Sequence, residues 1–418
     1  MAFLLFAAGA GHAAGSPEKR DPAAANAPVK LQLFHYMGEQ YKRDALEKLT
    51  QAITRAHPEI TFEITGVAYA QFQPLLQTKI AAGDVPDLMT GRPQNSVNLV
   101  EAGVFMDLTN ELFVKNVQPQ ALKEQQVNGR YYSVPIDFTA FGVAYNKEMF
   151  DKYGLKVPTT LSEMIKVCDT FKANGIVPFA HPYKDANQPG VELGTFFVPM
   201  CYLNDKDVYW DLMKKKRTWT QIPLVKQAFE IFFKYLEYTD PGDIAVDPTT
   251  AINMFASGKR PMIMIGLWST GDIRRANPNG KFGYFATPWS EDPKQNLLPF
   301  SVDDSFVVSA SSKYPKALLA ALEFIASEQG TKVWTDSTNL MSTSVNGMKI
   351  GTNEEMILDA YRYFDKGLGA YRADVRAFSG EASAKFRTMM QWMVSLPPKE
   401  RTMDKVLAYF EKEFSTLN

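Results

Sequence analysis

Residues 29–66 read VKLQLFHYMGEQYKRDALEKLTQAITRAHPEITFEITG. Val29, Leu31 and Leu33 alternate with Lys30 and Gln32, the two-residue period of a strand, which is predicted to end near His35. Ala45, Leu46, Leu49, Ala52, Ile53 and Ala56 then recur at the 3.6-residue period, so an amphipathic helix follows, and Pro58 stops it. Ile60, Phe62 and Ile64 return to alternation; Phe72, Leu75, Leu76 and Ile80 mark a second helix closed by Gly83, and Asp87-Leu88-Met89 opens a third strand. Parallel strands need crossovers, and right-handed crossovers lay the helices against a mostly parallel sheet. Ligands of such sheets sit beyond the carboxyl ends of the strands. His35, Tyr36 and Glu39 follow the first strand and Arg92 the third, so all four are candidates for one binding rim.

A second α/β set starts with the strand-like Phe141 to Tyr145. Thr160 and Glu163 have the spacing of a capping box, Leu161, Met164, Ile165, Cys168 and Phe171 form the apolar face of the helix they open, and Gly175 ends it. Pro261 to Gly266, PMIMIG, is a continuous apolar run expected of a strand covered on both faces, with Trp268 just past its end. Phe306 to Ser309 is a further strand, Ala317 to Ile325 a further helix, and Glu354 to Asn418 is largely helical in pattern. Two alternating sets separated near residue 140 predict two lobes.

With 418 residues, 45% hydrophobic and 22% charged, the chain has the balance of a soluble globular protein of two to three domains. Lys plus Arg number 45 against 46 Asp plus Glu, which leaves no basic field for a nucleic-acid backbone. Cys168 sits in a predicted helix and Cys201 in an apolar run; both read as buried free thiols, a single bridge being the alternative in an oxidising compartment. Met1 to Ala14, MAFLLFAAGAGHAA, is too short to span a bilayer but matches the apolar region of an export signal, although a basic start is missing. Glu18 to Pro28 then reads as a tether.

The remaining motifs resemble those of the extracellular solute-binding proteins of ATP-binding-cassette (ABC) importers, in the carbohydrate-binding group. The pieces are Ile80-Ala-Ala-Gly-Asp-Val-Pro-Asp87, Asn128-Gly-Arg-Tyr-Tyr-Ser-Val-Pro135, Tyr145-Asn-Lys147, Pro158-Thr-Thr160, and Gly258-Lys259 leading into Met262-Ile-Met-Ile-Gly-Leu-Trp268. Leu161 departs from a frequent tryptophan, and His35 from a more usual aromatic. The resemblance implies a two-lobed α/β fold of the type II periplasmic-binding-protein kind, with the ligand in the cleft between lobes. By analogy, hinge crossings fall near Asp137, Ser301 and Met341. Residues 1–28 would be export segment and tether, 29–138 plus 302–340 the first lobe, and 139–301 plus 341–418 the second. The implied role is to capture a sugar or oligosaccharide outside the cytoplasm, in the periplasm or at the outer face of the cell membrane, and deliver it as a monomer to permease subunits.

The residues themselves leave a rival open. A sugar site combines aromatic faces with convergent hydrogen-bonding groups; Trp268 is the leading platform candidate, ahead of Trp289 and Trp334. Asp137, Asp303 and Asp304 are expected to bond ligand hydroxyls, yet a glycosidase also needs paired carboxylates. If Asp303 and Asp304 lie in an extended strand they point to opposite faces and cannot share one bond. A third reading keeps the fold and binds a polyamine or organic acid. The four histidines at 12, 35, 57 and 181 and the two cysteines have no metal-ligand spacing, and neither a phosphate loop nor a Gly-x-Ser-x-Gly elbow is present. No catalytic residue, metal or cofactor is therefore expected. Lys214 to Arg217 reads as a solvated turn.

Overall fold

A computed structural model describes residues 28–345, 354–372, 378 and 380–417. The expected signal segment and all but the last residue of the tether lie outside them. Among the described residues no helix is long and apolar enough to cross a membrane.

The opening motif folds as its periodicity predicts. β1 (Val29–His35) pairs in parallel with both β2 (Ile60–Gly66) and β3 (Leu88–Thr90), and the helices Gln40–Ala56 and Tyr69–Ala81 make the crossovers. The first helix buries Ala45, Leu46, Leu49, Ala52 and Ile53, but also Lys42 and Thr50. The Ile80 to Asp87 motif is structural. Gly83 adopts a left-handed φ of 73°, which glycine takes without a Cβ clash. Asp87 accepts the Gln32 N–H at 3.0 Å and the Ser312 hydroxyl at 2.6 Å, clamping β1 to the turn after β9 (Ser305–Val308).

The first sheet runs β2-β1-β3-β9-β4, with β4 at Val134–Pro135. The second is built on β5 (Asp137–Asn146). Its first residues pair with β8 (Leu298–Val302) and β10 (Met341–Ser342), and its later ones with β6 (Met262–Gly266) and β7 (Phe282–Phe285), all antiparallel. β11 (Gly369–Tyr371) joins β8 in parallel. Both sheets are therefore mixed, and among the described strands only β1 to β3 and the β8–β11 pair are parallel. The reason lies in the connections. β4 passes to β5 through Ile136 alone, and β8 returns to β9 through Asp303 and Asp304; two neighbouring passes in opposite directions can only pair antiparallel.

The buried run at 261–266 becomes β6, with every residue buried. Cys168 and Cys201 are both buried, and burial pushes the Cys168 thiol well above its ordinary value. The 354–418 region contains the helices Glu355–Asp365, Gly380–Ser395 and Met403–Ser415.

The cap of helix Leu161–Ala173 differs in one detail from a capping box. Thr160 Oγ accepts the Glu163 N–H at 3.2 Å. The Glu163 carboxylate instead accepts the N–H and hydroxyl of Thr159, at 2.7 and 2.9 Å. Thr160→Ala is expected to cost about 1 kcal/mol of stability through the lost N-cap, read from the midpoint of urea denaturation; an unchanged midpoint would show that Thr159 and Glu163 hold the helix start without it.

Candidate functional site

Three segments that pass between the sheets lie side by side. Asp303 N–H donates to the Asp137 carbonyl at 3.0 Å, Ile136 N–H to the Asp304 carbonyl at 2.9 Å, and Thr343 N–H to the Ile136 carbonyl at 3.4 Å. Inside this crossing is a buried charge network. Lys42 Nζ, from the first helix, lies 2.7 Å from Asp303 Oδ2 and 2.6 Å from Asp304 Oδ2. Arg92, after β3, donates through Nε to the Asp303 carbonyl at 3.0 Å and through Nη2 to its carboxylate at 3.2 Å. Asp137 is fully buried. One of its oxygens accepts the Asp304 N–H at 2.7 Å and the other the Trp334 indole N–H at 2.7 Å.

Burial works against the Lys42 ammonium, but Asp303 and Asp304 more than offset it, so its pKa rises well above the usual lysine value. Burial, followed by the charge of Asp304, raises the Asp137 carboxyl. The carboxylates of Asp137, Asp303 and Asp304 all lie within 4.8 Å of one another, an oxygen set of the kind hard cations take. Here the cation is the protein's own ammonium. Asp303 and Asp304 also face one partner together, because the residues joining β8 to β9 are not themselves a strand and the alternation rule does not govern them.

The expected rim is brought together except at one point. Tyr36 turns its ring edge onto Phe72 and Tyr69, at centroid separations of 5.1 and 5.2 Å, and its hydroxyl is buried without a hydrogen-bond partner among the described residues. Burial raises its pKa, and Arg92, Asp304 and Asp303 are close enough to act on it. Glu39 begins the first helix without capping it; burial raises its carboxyl, against the pull of Lys42. His35 stands apart, packed over Gly66, where an added Cβ would meet the ring at 2.5 Å. Its Nδ1 accepts the Met37 N–H at 3.1 Å.

Trp268 lies in the turn after β6 and is half-buried. Its indole covers Gly266 so closely that a Cβ there would fall 1.8 Å from Cζ3, and it meets Phe141 edge-on at 5.2 Å. Arg372 stacks on that Phe141 ring at 4.0 Å. Trp289 and Trp334 are buried, and each indole N–H is bonded, to the Gln295 carbonyl and to Asp137.

Residues 39–332 match the family model of the bacterial extracellular solute-binding proteins. The chain belongs to that family. Among its relatives, the Multiple sugar-binding protein of Streptococcus mutans serotype c is 25% identical over 72% of this chain and 73% of its own. The Melibiose/raffinose/stachyose-binding protein MelE of Bacillus subtilis is 24% identical over 64% and 63%. The solved structure of RafE in complex with raffinose superposes with a TM-score of 0.77 at 24% identity, covering 92% of this chain and 100% of that one. That likeness shows the type II binding-protein fold.

In this solute-binding protein, sequence reasoning missed Lys42, Tyr41, Gln94 and Asn95. Lys42 had a signal, since 42, 45, 46, 49 and 53 share one helical stripe and a cation inside an apolar stripe needs a buried partner. Gln94 and Asn95, in the turn after Arg92, leave side-chain carbonyl oxygens buried and unbonded among the described residues; nothing in their spacing announces it.

Lys42→Met leaves the Asp303 and Asp304 carboxylates buried without their ammonium and is expected to cost about 3–5 kcal/mol in urea denaturation at neutral pH. A loss under about 1 kcal/mol would show that water or Arg92 replaces it. His35 gives a pH signature. Burial, then the nearby Arg43 charge, lowers its pKa from 6.5 to about 4. Between those values the unfolded chain binds a proton that the native ring refuses, so stability falls as pH drops through that window. His35→Gln should lose less melting temperature than wild type from pH 6.5 to 4; identical slopes would return the dependence to other groups.

Proposed function

We propose that this solute-binding protein captures an oligosaccharide outside the cytoplasm and hands it, unaltered, to the permease of an ABC importer. The observation that carries the reading is the state of the carboxylates. A glycosidase needs one carboxyl free to give a proton and another free to attack or activate water. Asp137, Asp303 and Asp304 are buried and engaged by Lys42, Arg92, Trp334 and backbone N–H groups, an arrangement that supports the crossing and sets no acid and base on either side of a bond. Meanwhile a half-buried indole and unbonded polar atoms at Tyr36, Gln94 and Asn95 offer the ring face and hydrogen-bonding groups a sugar requires. The names of the sugar-binding relatives point the same way.

Trp268 is the stacking platform; Tyr36, Glu39 and Arg92 line the polar side; Asp303 contributes at its edge. Asp137 and Asp304 act from behind, as supports of the hinge. His35 shapes the loop after β1. The lobes are 29–138 plus 302–340 and 139–301 plus 341–418, closing about the crossings near Asp137, Ser301 and Met341. Closure is favoured only by the ligand's differential affinity for the closed state. The protein works as an exported monomer.

Melibiose, raffinose and stachyose head a thermal-shift panel that also includes polyamines and organic acids. A ligand at about 100 times its Kd stabilises the fold by about 2.7 kcal/mol, an easily read shift. The stabilising sugar should be recovered intact by mass spectrometry; shortened products would favour the glycosidase, and a shift with polyamine or organic acid alone would replace the sugar. Trp268→Ala is expected to weaken binding by about 1–3 kcal/mol from lost ring burial while sparing most of the ligand-free stability. Unchanged affinity would remove Trp268 from the site.

A further inference from the structure

The first helix does more than carry Lys42. Tyr41 precedes it and points toward the other body. Its hydroxyl donates to the Trp268 carbonyl at 2.5 Å, across 227 positions of sequence. Its ring lies on Gly271, where an added Cβ would sit 2.5 to 2.9 Å from the ring atoms Cδ1, Cγ and Cε1. One side chain thus grips both ends of the segment 268–271, which links the end of β6 to the helix Thr270–Ala276. Tyr41 is half-buried, and burial raises its phenol well above the usual range. The neighbouring charges agree in placement. Lys42 and Arg43 are near enough to favour the ionised form of Asp272, on that same helix, although burial raises its carboxyl overall.

We infer that Tyr41 is a positioning residue that fixes the Trp268 turn from the opposite lobe and so makes the shape of the sugar platform depend on closure. The inference rests on the proposed binding role of Trp268. The contact joins the helix packed on the first sheet to the turn leaving the second, and it must break when the lobes part. Its free energy is therefore part of the closed-to-open equilibrium and acts before any ligand arrives. The acceptor belongs to the platform residue itself. Opening the lobes frees the backbone of Trp268, and docking Tyr41 holds it where the indole lies over Gly266. A neutral hydrogen bond of this kind is worth about a 2- to 10-fold change in that ratio.

The test uses the full chain without ligand, so failure of the sugar reading cannot affect it. Small-angle scattering is compared for wild type, Tyr41→Phe and Gly271→Ala, with circular dichroism melting to verify that each is folded. Tyr41→Phe removes only the hydroxyl; Gly271→Ala pushes on the ring from the other lobe and leaves the hydroxyl intact. Both variants should show a larger radius of gyration than wild type, with the closed-to-open ratio reduced about 2- to 10-fold in a two-state fit. Should Gly271→Ala not fold, Tyr41→Phe decides alone. Equal radii in Tyr41→Phe and wild type would overturn the proposal, whether all are open or all are closed.

Discussion

An ammonium buried between two carboxylates ties the first helix to the passage between the two sheets. A lone charge there would be far too costly to keep out of water. Lys42 is 2.6 to 2.7 Å from Asp303 and Asp304, and those two residues are the whole connection between β8 and β9. The first helix, the passage between the sheets and, through Asp137, the start of β5 are thereby tied into one set of positions. Arg92 fixes the Asp303 end and Trp334 the Asp137 end. The rim after β1 and β3 is therefore anchored to the crossing itself, and a movement of one sheet against the other is felt at Arg92 and Asp303 without any intermediary.

Much of this was legible. The strand and helix periods between residues 29 and 89 placed β1 to β3 and two crossovers correctly, and the apolar run at 262–266 was a buried strand with Trp268 just beyond it. What escaped was long-range. Nothing local tells β9 to enter between β3 and β4, because that order depends on where the chain returns from the second sheet. The alternation argument for Asp303 and Asp304 held only for an extended segment, and its condition is not met, because the two residues form the passage between β8 and β9. Lys42 was readable in principle, as a cation in phase with Ala45, Leu46 and Leu49. Tyr41 was not, since its partners, Trp268 and Gly271, are more than two hundred residues away.

The recurring motifs divide by what they do. Asp87 clamps backbone, and Asn128 and Gly129 make a tight turn with φ of 50° and 77°, so both belong to scaffold. Met262 to Trp268 is different, because its glycine is the floor on which its tryptophan rests. Spacing inside that motif is a packing requirement: the indole reaches back two residues to cover a position with no side chain. Motif resemblance thus identified the family, while its physical content had to be read from contacts.

The order β2-β1-β3-β9-β4 also has a consequence for how the chain is made. β9 lies between β3 and β4, yet it is contributed by residues 305–308, long after the rest of that sheet has left the ribosome. Until then β3 has an open edge and Lys42 has neither of its carboxylates, so the early half of the chain is poorly able to settle into its native body during synthesis. Contacts of such sequence separation form slowly because loop closure comes before any reward. The insertion that completes the first sheet therefore comes only when about three quarters of the chain exists, and β10 and β11 complete the second sheet later still.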